Sequence, residues 1–332
     1  MKTIKEEITL SPFLSRTLDF YFGGMKSAVF DIETTGLNPA YCSLMLSGIL
    51  LTDGKKGTVI QYFAERPEDE KEILEKTIEV LSETDYVLTY NGRHFDLPFV
   101  KKRAKRYGLD ASQLPYTLDL YLVLNGYSPF KSFLPDLKQK TVEVFMGLAS
   151  SRDDQISGKE NIDLYQRYLE TGAEDLKRKI LLHNHDDLIQ LYKLLPVISK
   201  TDFHRAMFSL GYPLKEFTVT RIFSSGRDIR VTGSKRHDPV DYISFYSEEQ
   251  PYNITMSGEE NTFDLTIPCF NEKGCLVSDI YTLLGDRAAN LESYPDVVNG
   301  YLITSTPDGL NHFEINAMVK EFLNEVFPLY LG

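Results

Sequence analysis

Residues 28–37 read Ala-Val-Phe-Asp-Ile-Glu-Thr-Thr-Gly-Leu, and everything else in the chain is arranged around this stretch. An apolar run leads into Asp31 and Glu33, and a Thr-Thr-Gly turn follows. Side chains two apart on a strand point to the same face. The two carboxylates therefore stand side by side, with Phe30 and Ile32 packed behind them. Adjacent carboxylates repel unless a cation lies between them, and hard divalent ions favour oxygen ligands. Taken alone, Asp-x-Glu is more often the signature of a half-exposed strand with two solvated acids, so the rest of the chain has to decide.

Working outward, strands are expected at 27–33, 44–52, 58–63 and 86–90, with a fifth around 117–119 and a hairpin turn at 53–57. Apolar spacing predicts helices at 68–82 and 95–107, while 1–26 reads as a mixed lead-in. Three antiparallel strands followed by alternating helix, strand and helix indicate an α/β fold with a mixed five-stranded sheet flanked by helices. From 130 to 197 the pattern turns helical, with segments at 134–147, 161–171 and 174–195 and a polar loop at 150–160. Beyond about residue 202, short β-branched and aromatic runs at 217–220, 242–246, 252–256, 263–269 and 300–305 precede a closing helix at 315–327. The expected division is 1–205 for the first domain and 206–332 for a β-rich α+β accessory domain.

With 332 residues the chain has room for two buried cores. A net charge of −12 argues against a protein that coats nucleic acid non-specifically, because such binding neutralises many phosphates. It leaves room for an enzyme with a local basic track beside an acidic metal site. No apolar run approaches the roughly 18–20 residues that span a bilayer, so no membrane partner is expected. The first ten residues alternate Lys and Glu with single apolar residues rather than forming a signal core. The three cysteines, Cys42, Cys269 and Cys275, form neither a zinc cluster nor a disulfide framework, and a cytoplasmic location is the expectation.

Two further constellations carry chemistry. The run 90–99, Tyr-Asn-Gly-Arg-His-Phe-Asp-Leu-Pro-Phe, sets Asp96 where a strand has ended and a helix begins. Helix capping accounts for an Asp there. It does not account for a third acid at a strand end of the same sheet, which is where open α/β sheets build their sites. The run 181–187, Leu-Leu-His-Asn-His-Asp-Asp, lies within the long helix, and His183 and Asp187, four apart, share one face. His185, on another face, reads as structural.

Together, Asp31 and Glu33, then Asp96, then His183 with Asp187, resemble the DEDD (DnaQ-like) 3′–5′ exonuclease superfamily of ribonuclease-H-like fold, with its three motifs in order. The 90–99 run is similar to the second motif of family-B DNA polymerase proofreading domains. Across 28–197 the chain looks closest to bacterial YprB-type ribonuclease-H-like proteins, including Leu137-Lys138, Ser157-Gly158 and the His-Asn-x-Asp-Asp box. The C-terminal third falls outside the resemblance, leaving a substrate or protein-partner role open for it.

The resemblance implies a metal-dependent 3′–5′ exonuclease acting on DNA or RNA, most naturally on single-stranded 3′ ends. Asp31, Glu33, Asp96 and Asp187 would hold two Mg2+ or Mn2+ ions about 4 Å apart. The family places a Tyr four residues before the last Asp or a His five before. Here a His stands at the four-before position and Leu182 at the five-before position. A neutral imidazole can accept a proton where Tyr only orients the water, so His183 is assigned as general base. The resemblance further implies contacts to the terminal nucleotide from Thr34, Thr35 and Asn91. Lys101, Lys102 and Arg103 begin a run of five cations in six residues that reads as a phosphate track. In the C-terminal region Arg227, Arg230, Lys235, Arg236 and His237 precede Tyr242, Phe245 and Tyr246, a pattern that can support single-strand stacking. Two other classes stay open: a catalytically silent binding or scaffold protein that kept the fold, and a two-metal nuclease of different polarity. Four intact acids argue against the first.

Overall fold

Strand β2 (Ser27–Thr34) is buried along nearly its whole length, as the apolar run Ala28–Phe30 followed by Ile32 suits a strand covered on both faces. A computed structural model describes residues 1–148, 158–247 and 250–331. The chain divides into two compact units, one of 1–19 with 23–201 and one of 20–22 with 202–332.

In the first unit the sheet runs β1-β4-β3-β2-β5-β6, built from β1 (Lys2–Thr9), β2, β3 (Leu44–Asp53), β4 (Lys56–Phe63), β5 (Tyr86–Thr89) and β6 (Tyr116–Asp119). The β1–β4, β4–β3 and β3–β2 pairs are antiparallel, whereas β5 and β6 pair in parallel. The sheet is mixed and flanked by helices, as the alternation predicts, but it has six strands rather than five. The additional strand, β1, lies in what reads as a lead-in. Its Lys2, Lys5, Glu6 and Glu7 are exposed at the sheet edge, where charges prevent edge-to-edge pairing and also disguise the strand.

Helices α1 (Arg16–Phe22), α2 (Glu70–Ser82), α3 (Asp96–Arg106) and α4 (Leu120–Tyr127) are joined by α5 (Gln139–Phe145), α6 (Gly158–Thr171) and α7 (Glu174–Lys193). The segment expected as a helix over 134–147 is shorter, because Asp136 bonds the Lys138 N–H and the Thr141 hydroxyl in a local turn that delays the start. Of the polar segment 150–160, residues 150–157, including Ser157 of the Ser157-Gly158 pair, lie outside the described residues, and 158–160 already belong to α6. The core gathers Phe30, Ile32, Leu46, Ile49, Phe63 and Ile73 from strands and α2 with Phe99, Tyr165 and Ile180 from helices.

In the second unit, β7 (Tyr212–Pro213), β8 (Phe217–Ser224), β9 (Asp228–Lys235), β10 (Tyr242–Ser244), β11 (Asn253–Ser257) and β12 (Thr262–Pro268) form an antiparallel sheet ordered β10-β11-β12-β9-β8-β7. A second sheet runs β13-β14-β16-β15, from β13 (Phe270–Glu272), β14 (Cys275–Asp279), β15 (Val297–Val298) and β16 (Tyr301–Thr306), with β17 (Gly309–Leu310) beside β16. Lys273 and Gly274, both at positive φ, close the β13–β14 hairpin between Cys269 and Cys275. Strand β9 was hidden among Gly, Ser and charges. Its Ile229, Val231 and Gly233 point inward, while Arg230 pairs with Asp264 and the Lys235 ammonium donates to the His237 and Asp238 carbonyls. These two cations are already engaged within the sheet surface. Among the described residues no helix is long and apolar enough to cross a membrane.

Candidate active site

Asp31 and Glu33 project from the end of β2, just before a bulge between Glu33 and Thr34. Because β5 runs parallel to β2, its end delivers the chain to the same edge of the sheet. There the turn is tight. Asn91 takes a left-handed φ of 67°, and a Cβ at Gly92 would lie 2.5 Å from the Thr89 Cβ. Asp119, at the end of β6, accepts from the Asn91 and Arg93 N–H groups at 2.8 and 3.0 Å. That turn starts α3 at Asp96, whose Oδ1 accepts from the Ile32 N–H at 3.1 Å, between the two acids of β2.

Helix α7 supplies the remaining groups. The His183 Nε2 lies 3.5 Å from a Glu33 carboxylate oxygen and 3.6 Å from one of Asp187. Donor atoms of Glu33, His183 and Asp187 fall within 4.8 Å of one another. Asp31 sits in the same field. Burial first, then the charges of Asp96, Asp187 and Glu33, push its carboxyl well above the usual carboxylate range. Burial likewise pushes Asp96 up to about 7, with Asp119 and Glu33 adding to it and backbone N–H donors opposing it. Five acids crowded with so little solvent make a site that favours positive charge. The donors are chiefly carboxylate oxygens, which suits hard ions such as Mg2+ or Mn2+.

One functional neighbour escaped the sequence reading. Asp31, Gly48 and Gln61 are register partners across β2, β3 and β4, and Asn184 of α7 bridges the row above Gly48. Gln61 Nε2 donates to the Leu181 carbonyl and to Asn184 Oδ1, both at 2.9 Å. The Asn184 amide is thereby oriented with Nδ2 toward Asp31, donating to its Oδ2 at 2.8 Å. The bridge needs a glycine beneath it, because a Cβ at Gly48 would stand 2.1 Å from Asn184 Oδ1. Gly48→Ala is expected to cost about 1–3 kcal/mol, the usual cost of overpacking, measured as a lower urea midpoint. A loss below about 0.5 kcal/mol would mean that Asn184 moves freely. The signal available in sequence was a lone Gly in an apolar strand, which marks a close approach.

The expected substrate residues divide. Thr34 and Thr35 take part in the turn: the Thr34 hydroxyl donates to the Gly36 carbonyl, and the Thr35 hydroxyl accepts from the Ser43 N–H. Asn91 lines a groove of about 600 Å³ with Tyr90, Tyr121, Lys131, Lys138 and Gln139. Gln139 also donates to the Asp187 carbonyl at 3.2 Å, joining this groove to the acids. Lys101 and Lys102 are exposed on α3. Arg103 is not: it is 3% exposed and forks onto buried Glu70 at 2.7 and 2.5 Å, so its expected place in the phosphate track is corrected to the interior. Three consecutive cations on a helix cannot share one face, and Arg103 falls on the inward one.

A family model described as the RNase_H superfamily matches residues 28–198. A DNA polymerase of Methanocaldococcus jannaschii is 33% identical over 119 residues, 33% of this chain and 7% of the polymerase. A PolC-type DNA polymerase III of Ureaplasma parvum is 29% identical over 128 residues, 31% of this chain and 9% of that one. An uncharacterized protein of M. jannaschii is 28% identical over 184 residues, 52% of this chain and 96% of the relative. The chain thus spans under a tenth of either polymerase.

Proposed function

This chain belongs to the RNase_H superfamily, and on that premise we propose that it is a metal-dependent 3′–5′ exonuclease that hydrolyses phosphodiester bonds of DNA or RNA. The observation that carries the reading is the convergence of Asp31, Glu33, Asp96, Asp187 and His183 at one edge of the sheet, with the carboxyls of Asp31 and Asp96 pushed toward protonation. The four acids would hold two Mg2+ or Mn2+ ions, which when bound lower the pKa of water and offset charge on phosphate oxygens.

The chain's own residues would do the rest. Asn184 fixes the carboxylate plane of Asp31 through its amide N–H. His183, buried between Glu33 and Asp187, takes up the proton of the attacking water at Nε2. Asn91 and the neighbouring groove receive the terminal nucleotides, and the solvent-facing Lys101 and Lys102 attract the phosphates that follow. Polarity from the 3′ end rests on the resemblance to the 3′–5′ exonuclease superfamily. A cytoplasmic location and a partner-binding role for the second unit remain part of the same proposal.

The test is degradation of end-labelled single-stranded DNA and RNA oligonucleotides with Mg2+, Mn2+ or EDTA. The expected result is a metal-dependent ladder from the 3′ end. His183→Gln should slow it roughly 10²–10⁴-fold, the range for a lost general base, with metal binding retained in calorimetry. A wild-type protein that binds both oligonucleotides and cuts neither under any metal overturns the reading.

A further inference from the structure

The loop 35–43 connects the acids of β2 to β3 and has no regular secondary structure. It is closed internally by Thr35 N–H to the Ser43 carbonyl, Cys42 N–H to the Asn38 carbonyl and Ala40 N–H to Asn38 Oδ1, each at 2.9 Å. Its Leu37 and Tyr41 are 82% and 86% exposed, while the backbone beneath them is held from the interior. Glu70, 1% exposed at the start of α2, supplies the hold. Its Oε1 accepts from the Leu44 N–H at 2.8 Å, where the loop enters β3. Both of its oxygens take the Arg103 fork, and the Tyr107 hydroxyl adds a bond at 2.8 Å. Arg103 Nη1 then reaches back to donate to the Pro39 carbonyl, in the middle of the loop, at 3.1 Å. Arg103 also stands two turns along α3 from Asp96, so one guanidinium ties the loop to the helix that carries a site acid.

We propose that the buried Glu70–Arg103 pair is a clamp that holds the 35–43 loop rigid beside the acids, making the exposed Tyr41 a preformed wall for the substrate strand. Arg103 is then a positioning residue, not a phosphate contact. The clamp stands on the geometry alone, and its service to substrate rests on the exonuclease reading. Burial explains why arginine is required. Lysine can pair with Glu70, but a single ammonium lacks the planar fork that spans Glu70 and Pro39 together.

The experiment compares wild type, Arg103→Lys and Tyr41→Ala in the full chain. Hydrogen exchange is followed at 36–43, and steady-state cleavage is followed on a labelled single-stranded oligonucleotide. In Arg103→Lys, exchange at 36–43 should quicken by roughly tenfold relative to the β-sheet amides. KM should rise roughly tenfold while kcat changes by less than about threefold, the pattern of lost uniform binding. Tyr41→Ala, a surface change that leaves the clamp whole, should raise KM without altering exchange. Unchanged loop exchange in Arg103→Lys overturns the clamp. Faster exchange with unchanged KM, or an unaffected KM in Tyr41→Ala, overturns the wall. A wild type that cleaves no oligonucleotide overturns the exonuclease reading and with it the wall, while the exchange result still decides the clamp.

Discussion

Asp31→Asn is expected to lose cleavage by at least about a thousandfold while the metal-free protein becomes more stable. The first effect follows from removing a charged ligand from the centre of the site, since even one charge-stabilising donor at a transition state is worth roughly 10²–10³. The second follows from the same charge. Asp31 is held above the usual carboxylate range by burial and by Asp96, Asp187 and Glu33, so its ionised form opposes folding when no cation is present. An amide of the same shape removes that opposition. Thermal unfolding in EDTA and oligonucleotide cleavage in Mg2+, run on one preparation, check both. A variant that is inactive and less stable would mean that Asp31 holds the fold together rather than poising the site.

Metal and pH should act on stability through the same group of acids. For Asp96 the folded value is about 7 against an ordinary 3.8, so the folded chain binds that proton more tightly than the unfolded one. The associated stability is fully present below the unfolded value and is lost as pH rises through about 7. Asp31 is shifted in the same direction. Metal-free protein should therefore melt lower at about pH 7.5 than at about pH 5.5, and Asp96→Asn should flatten that slope. A divalent ion at about a hundred times its Kd would return about 2.7 kcal/mol, or roughly 5–10 °C for a domain of this size, chiefly at the higher pH. Equal melting temperatures in EDTA and saturating Mn2+ at about pH 7.5 would contradict a metal site built from these acids.

Much of this was determined by local pattern. The apolar run ending in Asp-x-Glu specified a central strand with two acids on one face, because strand alternation is a property of the backbone. His183 and Asp187 fell on one face because the helical repeat puts them there. The 90–99 run announced a strand, a turn and a helix through its Asn-Gly pair and Asp96. What the sequence could not show depended on neighbours far along the chain. Strand β1 exists because β4 offered an edge, and its own charges hide it. Asn184 faces Asp31 only because Gln61 and Gly48 lie in register two and one strands away. Arg103 looks like its neighbours Lys101 and Lys102, yet burial beside Glu70 turned one cation of that run into a clamp. Local periodicity determines which face a residue occupies; only tertiary packing decides whether that face meets solvent, substrate or a buried partner.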